Sequence, residues 1–296
     1  MPVRLSWAAM LMCAAVTAAS AQEQFSSPPL SPPLSQYGPL RAPSLQTRSL
    51  IPDVRRAVET ALSQAAAAST KAMEAEAMMR AAKRAAGDGR EAARSAERGR
   101  NGYDSLNLSW DRQTCRYSGQ VRRGRASGVG VMHCGRAGYE GQFRDGRPDG
   151  LIVIERADGG YVGQYRRGRR DGLGGDYVRS NADAYEGEYQ DGARMGLGIE
   201  RDKDGFYPGQ YGFFTNARGR QINMELSGTQ NFRGTHWAGT YGAYSGPKIV
   251  CRLIKGAVLE GSVLDGAGAK FDARGRVVEQ GQYRLGILEG GKGPPC

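Results

Sequence analysis

Residues 161–174 read Tyr161-Val-Gly163-Gln-Tyr165-Arg-Arg-Gly168-Arg-Arg-Asp-Gly172-Leu-Gly174, and this pattern decides the fold. It recurs three more times, with starts at 117, 139, 161 and 185 and hence spacings of 22, 22 and 24 residues. A shorter copy occupies 207–211, and weaker echoes lie within 232–286. Four matched copies at nearly one period indicate an internal structural repeat.

Each copy predicts a β-hairpin. In Tyr-x-Gly-x-Tyr the side chains alternate, so both aromatic rings and the glycine face one side of a strand. A neighbouring hairpin can then pack a ring into the gap above the glycine. A second glycine, such as Gly168, suits the turn because positive φ costs it little. The residues that define the repeats are Tyr117, Gly119, Tyr139, Gly141, Phe143, Tyr161, Gly163, Tyr165, Tyr185, Gly187 and Tyr189.

One hairpin cannot bury its apolar face alone, whereas a stack of hairpins can. We therefore expect an all-β repeat solenoid of stacked antiparallel hairpins over 103–296, with clear repeats over 117–211 and degenerate ones over 232–286. Glycine makes up 44 of 296 residues, about twice the usual share of roughly 7%. This composition fits a fold rich in turns and close backbone contacts.

The repeats resemble the MORN-repeat family, whose pattern is Tyr-x-Gly-x-aromatic-x-x-Gly-x-x-x-Gly-x-Gly. Two positions depart from it, since Val121 replaces the second aromatic residue and Ile152 replaces the last glycine of their repeats. The resemblance is strong over 117–198 and does not cover 1–110. It implies a binding or scaffolding module without catalytic residues, and some family members are proposed to hold proteins at phospholipid surfaces.

The N-terminus has the features of a bacterial secretory signal peptide over 1–21. Met1–Arg4 supplies a positive end, Leu5–Ala18 is an apolar run, and Ala19-Ser20-Ala21 offers a cleavage site. A retained membrane anchor is the alternative, although the run is shorter than the ~20 residues that span a bilayer. We expect a periplasmic or secreted protein. A Pro/Ser-rich stretch over 22–51 follows, and its composition predicts a disordered linker.

Residues 52–100 are rich in alanine and predict a helix. Pro52 suits the first turn, and Gly87-Asp88-Gly89 is expected to end the helix before a short charged continuation over 90–99. A heptad stripe is typical of a coiled coil and would allow self-association, whereas a single solvated helix is the alternative. The stripe comprises Val54, Val58, Ala61, Ala65, Ala68, Ala72, Ala75, Met79, Ala82 and Ala86.

After removal of the signal peptide four cysteines remain, Cys115, Cys134, Cys251 and Cys296, and they allow three pairings. On the hairpin model Cys115 and Cys134 lie opposite each other in the first repeat. A Cys115–Cys134 disulfide would fasten one end of the stack, and Cys251–Cys296 would fasten the other. Structural disulfides suit an oxidising compartment.

Arginines concentrate at the expected hairpin turns, where stacking would align them on one edge. They are Arg122, Arg123, Arg125, Arg144, Arg147, Arg166, Arg167, Arg169, Arg170 and Arg194. Such a ridge can bind phosphate or carboxylate groups of a phospholipid surface or a wall polymer. Alternatively, the charges only keep the sheet soluble and prevent edge pairing. Nucleic acid is a poor partner for an exported protein, despite the net charge of +11.

The sequence predicts neither an enzyme nor a cofactor or metal site. It contains only two histidines, His133 and His236, and neither has carboxylate or cysteine partners at a ligand spacing. Our first interpretation is an exported, non-catalytic scaffold whose repeat sheet binds unidentified envelope proteins. The alternative is attachment to an anionic surface through the arginine ridge, which high salt would weaken.

Overall fold

The computed structural model describes residues 45–180, 183–202, 205–215, 221–232, 235–247, 258–284 and 287–290. A short 3-10 helix (Thr47–Ser49) precedes one long helix, α1 (Pro52–Glu97), and fifteen strands follow. These are β1 (Tyr103–Trp110), β2 (Gln113–Arg122), β3 (Arg125–Cys134), β4 (Ala137–Arg144), β5 (Arg147–Arg156), β6 (Gly159–Arg166), β7 (Arg169–Val178), β8 (Ala184–Gln190), β9 (Ala193–Arg201), β10 (Gly205–Thr215), β11 (Gln221–Phe232), β12 (Thr235–Pro247), β13 (Val258–Phe271), β14 (Val277–Arg284) and β15 (Ile287–Leu288).

All fifteen strands form one sheet in chain order, and every strand pairs antiparallel with the next. The predicted stack of consecutive hairpins preceded by a helix is therefore confirmed. Among the described residues, no helix has the length and apolar character needed to cross a membrane.

A row of glycines crosses the sheet at right angles to the strands, and we call it the glycine row. Cross-strand pairing links one residue from each strand between β2 and β14, and only Ile152 in β5 is not glycine. The row consists of Gly119, Gly130, Gly141, Ile152, Gly163, Gly174, Gly187, Gly198, Gly209, Gly228, Gly239, Gly268 and Gly281. Without side chains here, both faces of the sheet can be approached closely.

Tyrosine rings cover one side of the glycine row, which we call the tyrosine face. The ring of Tyr117 lies over Gly130 so closely that a Cβ there would stand 2.5 Å from its hydroxyl oxygen. That hydroxyl donates to the carbonyl of Gln120 at 2.8 Å. Tyr161 and Tyr185 repeat the arrangement, donating to Gln164 at 2.9 Å and Glu188 at 3.1 Å.

Each ring also contacts an aromatic ring of the next hairpin edge to face. The ring centroids of Tyr117 and Phe143 are 5.0 Å apart, and those of Tyr185 and Tyr211 are 4.9 Å apart. The aromatic contact between neighbouring hairpins that the sequence predicted is therefore present. It joins successive repeats into one core, since edge-to-face pairs add stabilisation beyond simple burial.

Helix α1 lies along the opposite side of the glycine row, the helix face. Near its start Val58 packs with Ala238 and Ala269. Ala68 and Ala72 pack against Ile199. Near its end, Gly89 meets the backbone of Gly130 and Gly141. The helix thus runs from the last hairpins back to the first, and its small residues allow it to approach a sheet that is itself rich in glycine.

The dimensions of helix and sheet match. A helix of 46 residues is ~69 Å long at 1.5 Å per residue. Fourteen strand spacings of ~4.8 Å span ~67 Å. One heptad advances ~10.5 Å along the helix, close to the ~9.6 Å that two strands occupy. Roughly one heptad therefore faces each hairpin.

This match changes the interpretation of the alanine stripe. Every residue of the predicted coiled-coil seam is buried, from Val54 to Ala86, and the packing partners on the sheet belong to the same chain. The stripe is periodic because hairpins are periodic, and it is occupied within the chain rather than exposed for a second copy. Self-association through it, like the alternative of a solvated helix, does not fit this packing.

The predicted stop at 87–89 is wrong, because α1 continues without interruption to Glu97. The physical reason lies in the sheet. A Cβ on Gly89 would stand 2.5 Å from the carbonyl oxygen of Gly130 and 3.1 Å from the amide nitrogen of Gly141. Gly89 is therefore a contact residue, where backbone meets backbone, and not a helix terminator.

A disulfide joins Cys115 and Cys134, which face each other on β2 and β3. This bears out the predicted pairing in the first repeat. Cys251 and Cys296, like the predicted signal peptide, lie outside the described residues. The disulfide stands near the N-terminal end of the stack, where it ties the second and third strands together.

Gly89 and Gly87 provide a matched test of helix packing. Both substitutions to alanine raise helix propensity by up to about 1 kcal/mol. A Cβ at Gly87 meets only the far end of Arg90, at 3.9 Å, so Gly87→Ala should stabilise the protein. Gly89→Ala should destabilise it by about 1–3 kcal/mol, because the sheet backbone must shift. Urea unfolding of both variants measures the difference, and equal effects would contradict the close contact.

Removal of the disulfide should lower the free energy of unfolding by about 3 kcal/mol, since the two cysteines are 19 residues apart. The variant is Cys115→Ser/Cys134→Ser, compared by thermal unfolding in a background that already carries Cys251→Ser and Cys296→Ser. In that background, reductant should shift the parent by a similar amount and leave the variant unchanged. Equal stability of parent and variant would argue against the bridge.

Candidate functional site

Two-residue turns close the four clear hairpins on one edge of the sheet. The first turn residue has a left-handed backbone in each, with φ between 49° and 52° at Arg123, Asp145, Arg167 and Asp191. Glycine follows each of them with φ between 70° and 95°. Positive φ at both positions is the hairpin geometry that matches the strand twist. The turns therefore form because glycine, as predicted, stands second in each.

The four turns are tied to one another. The amides of Gly146, Gly168 and Gly192 each donate to a carbonyl of the preceding hairpin at 2.8–2.9 Å. Within each hairpin, a glutamine or glutamate side chain accepts from a backbone amide, as Gln142 does from Leu151 at 2.8 Å. Gln164 makes the same contact with Leu173. The turn edge is thus a row of braced turns rather than a set of independent loops.

Eight of the ten predicted arginines stand exposed on this braced edge, and we call them the arginine edge. Arg144 and Arg166 each reach an aspartate of their own hairpin, Asp149 at 3.7 Å and Asp171 at 2.9 Å. The other six have no ion-pair partner within the described part of the chain. The arginine edge comprises Arg122, Arg123, Arg125, Arg144, Arg147, Arg166, Arg167 and Arg169.

The remaining two predicted members, Arg170 and Arg194, do not belong to the edge. Each stands directly across its hairpin from a core tyrosine, Tyr165 or Tyr189, so its side chain lies on the tyrosine face. The side chain of Arg194 is only 19% exposed. The expectation of one shared edge was wrong for this pair, because strand alternation turns the second residue after each turn glycine inward.

Arg170 and Arg194 form an inner ion-pair cluster with Asp176 and Glu200. Asp176 accepts from Arg170 at 2.9 Å and from Arg194 at 2.5 Å, while Glu200 pairs with Arg194 at 2.6 Å. The Arg170 guanidinium also lies 5.4 Å from the ring centroid of Tyr189. Burial disfavours the charged form of Arg194, yet its two carboxylate partners outweigh this and hold its pKa well above the ordinary value.

The arginine edge occupies the turns of the first three clear hairpins. The fourth turn, at Asp191 and Gly192, carries no member of the edge, because Arg194 lies on the tyrosine face. The ring of Trp110 lies over Gly168, the turn glycine of the third clear hairpin. The edge is thus a row of three neighbouring turns.

The sheet also contains a well-formed copy of the repeat within 232–286, where the sequence predicts only degenerate copies. Trp237-Ala-Gly239-Thr-Tyr241 has the aromatic-x-Gly-x-aromatic pattern, and Gly239 belongs to the glycine row. Tyr241 donates to the carbonyl of Trp237 at 3.2 Å, as Tyr211 does to that of Tyr207. Searching for any aromatic residue at the first position, rather than tyrosine alone, would have revealed this copy.

Family comparison agrees with this architecture. The MORN repeat model matches residues 117–135, 139–160, 161–174 and 185–206. The chain contains MORN repeats within 117–206. The first three matched segments contain the hairpins whose turns carry the arginine edge. A search of curated proteins found no significant relative.

MORN repeats are generally modules for interaction with proteins or membranes, and they are generally non-catalytic. The described residues contain no group of three or more histidine, cysteine, aspartate or glutamate side chains arranged to hold a metal ion. Partial desolvation of the His133 side chain, together with the charge of Arg116, lowers its pKa. The side chain of His236 lies outside the described residues.

The buried tyrosines predict a loss of stability in base. Burial raises the pKa of Tyr161, Tyr185 and Tyr211 well above the ordinary value. In the unfolded chain tyrosine ionises near pH 10, so stability should fall progressively as pH rises above about 10. Tyrosinate absorbance should then rise together with loss of the far-ultraviolet circular dichroism signal. Reversible ionisation of all fourteen tyrosines in the folded protein near pH 10, with unchanged dichroism, would contradict the packing of these rings.

Proposed function

We propose that this protein is an exported, non-catalytic binding protein that holds an extended anionic polymer of the cell envelope along its arginine edge. The observation that carries the proposal is the row of six exposed arginines without ion-pair partners among the described residues, set on turns braced by hydrogen bonds. Guanidinium groups bind phosphate or carboxylate oxygens through charge-assisted hydrogen bonds. Because the turns are already fixed, only the arginine side chains lose conformational freedom on binding.

The arginine edge is a single row of three neighbouring turns, and this shape suits a polymer. A flexible chain can follow all three turns and pair with their exposed guanidinium groups in succession. A phospholipid surface carries the same kind of charge, and we therefore treat it as an arm of the experiment.

The exposed surface offers a binding partner mainly charged groups rather than apolar area. The large apolar side chains that are exposed among the described residues stand on separate elements, for example Met73 on α1, Phe213 on β10 and Val278 on β14. Helix α1 covers one face of the sheet, and aromatic rings fill much of the other. Little continuous apolar surface is thus left for a protein partner in the described part.

One observation favours the second candidate, a scaffold for envelope proteins. The outer edge of β1 has no neighbouring strand among the described residues. Its sequence, Tyr-Asp-Ser-Leu-Asn-Leu-Ser-Trp over 103–110, contains no Lys, Arg or Pro, the residues that usually protect an edge. A partner could add a strand there through backbone hydrogen bonds, and this mode would be insensitive to salt.

Export is supported by the composition of residues 1–21 and by the disulfide between Cys115 and Cys134, a bond typical of oxidising compartments. A polymer partner outside the cytoplasm suits that location, since the outer layers of bacterial envelopes are rich in anionic polymers.

The test is co-sedimentation of the mature chain with purified cell-wall sacculi and with anionic phospholipid vesicles across a salt series. The edge variant carries Arg123→Asp, Arg125→Glu, Arg147→Glu and Arg167→Asp. Aspartate already occupies the turn position of Arg123 and Arg167 in the two other hairpins, at Asp145 and Asp191, so the turns should be preserved. We expect binding to sacculi that falls with salt and drops at least tenfold in the edge variant.

The matched control reverses four exposed charges away from the edge, with Lys83→Glu, Arg84→Glu, Arg136→Glu and Arg274→Glu. It has the same net charge as the edge variant and should bind sacculi almost as well as the parent. An equal loss of binding in both variants would show that net charge, and not the arginine edge, is responsible for the binding. Binding to vesicles but not to sacculi would contradict a polymer partner and indicate a membrane partner instead.

A further inference from the structure

A groove on the tyrosine face, over β6 and β7, is separate from the arginine edge but opens onto it. Tyr161 and Tyr165 line its walls, Arg156 and Asp158 stand at one end, and Arg169 stands at the other. Its volume is about 320 Å³, at the lower end of the range of roughly 300–1,000 Å³ typical of small-molecule sites. We call it the tyrosine groove.

The walls of the groove differ from the equivalent positions of the first two repeats. The residue paired across the hairpin with the second aromatic position is Ala126 or Pro148 in the first two repeats. In the next two repeats it is Arg170 or Arg194. The residue paired with the first tyrosine is Met132 or Ile154 in the first two repeats, and Asp176 or Glu200 in the next two. The same strand pairing therefore forms with apolar residues at these positions, and the fold does not require this ion-pair cluster.

Half-buried ion pairs that could be replaced by apolar packing contribute little to stability, because desolvation offsets their attraction. Their presence in two consecutive repeats calls for another role. β1 closes the tyrosine face over the apolar repeats through Leu106, Leu108 and Trp110. Trp110 contacts Gly168, which also lines the groove. The covered part of the face is thus apolar, and the polar part borders the opening.

The groove contains fixed groups as well as free ones. Arg170 is held between the rings of Tyr161 and Tyr189, at 5.7 and 5.4 Å from their centroids, and Asp176 orients it. Arg156 and Arg169 are exposed and have no ion-pair partner within the described ranges. Two free guanidinium groups therefore stand at opposite ends of an aromatic groove whose polar groups are already oriented.

This combination fits an acidic sugar. The half-buried ring of Tyr165 can pack against the C–H face of a pyranose, and the exposed Asp158 can accept hydrogen bonds from its hydroxyl groups. A guanidinium binds a carboxylate through two parallel hydrogen bonds. A phosphate group would suit the arginines, but Asp158 and Asp176 line the groove as well and would repel its second negative charge. A neutral sugar would leave both free arginines unused.

We propose that the tyrosine groove binds a sugar unit that carries a carboxylate, and so selects the anionic polymer that the arginine edge holds. The selection of a polymer rests on the proposed function, whereas binding of the isolated sugar does not. The groove supplies specificity for one unit, and the edge supplies salt-dependent affinity for the rest of the chain.

The experiment is calorimetric titration of the full mature chain with glucuronic acid, with glucose as the neutral counterpart and glucose 1-phosphate as the phosphorylated one. We expect glucuronic acid to bind most tightly of the three. Arg156→Gln/Arg169→Gln should weaken its binding at least tenfold, since each charge-assisted hydrogen bond contributes about 1.5–3 kcal/mol. Both residues are exposed, so the variant should keep the circular dichroism and melting temperature of the parent.

The matched control is Arg125→Gln/Arg147→Gln, which removes the two arginines at the register position of Arg169 in the preceding hairpins. It should leave binding of glucuronic acid unchanged. The proposal would be overturned if glucose bound as tightly as glucuronic acid, or if glucose 1-phosphate bound more tightly. It would also be overturned if no sugar gave heat on titration, or if both variants lost the same affinity for glucuronic acid. If glucuronic acid binds while sacculi do not, the groove stands and the proposed function fails.

Discussion

The close approach of backbone to both sides of the glycine row is the constraint on which the structure depends. Twelve of the thirteen positions between β2 and β14 lack a side chain, so tyrosine rings can lie flat on one side and a helix backbone can lie on the other. The helix meets this requirement with alanine and, at Gly89, with no side chain at all. A larger residue in either partner would separate the layers and weaken the dispersion contacts between them.

This constraint also assigns the remaining surfaces their roles. With α1 on the helix face and rings on the tyrosine face, the turns and the open part of the tyrosine face are left for partners. The turns are shaped by local backbone demands and tolerate charge, which is why Arg123 and Arg167 can stand at positive φ. The third and fourth clear repeats depart from the apolar pattern of the first two at the places where the face opens.

The repeated parts of the fold could be predicted from the sequence, because each depends on local rules. Alternation defined the strands, turn glycines such as Gly168 defined the hairpins, and the hairpin register placed Cys115 opposite Cys134. The position of α1 could not be predicted, because an alanine stripe with a heptad period looks alike against a second helix and against a stack of hairpins. Of the predicted arginine ridge, eight members lie on the edge, whereas Arg170 and Arg194 required the pairing register to be assigned correctly.

Hydrogen exchange of the amides in α1 tests the central claim most directly. If the helix is packed along the glycine row, its amides between Ala61 and Ala86 open only with the sheet, and they should exchange as slowly as those of β6 and β7. An alanine-rich helix that is merely solvated opens locally at much lower cost. Exchange of α1 within seconds, while the strands stay protected for hours, would contradict the account.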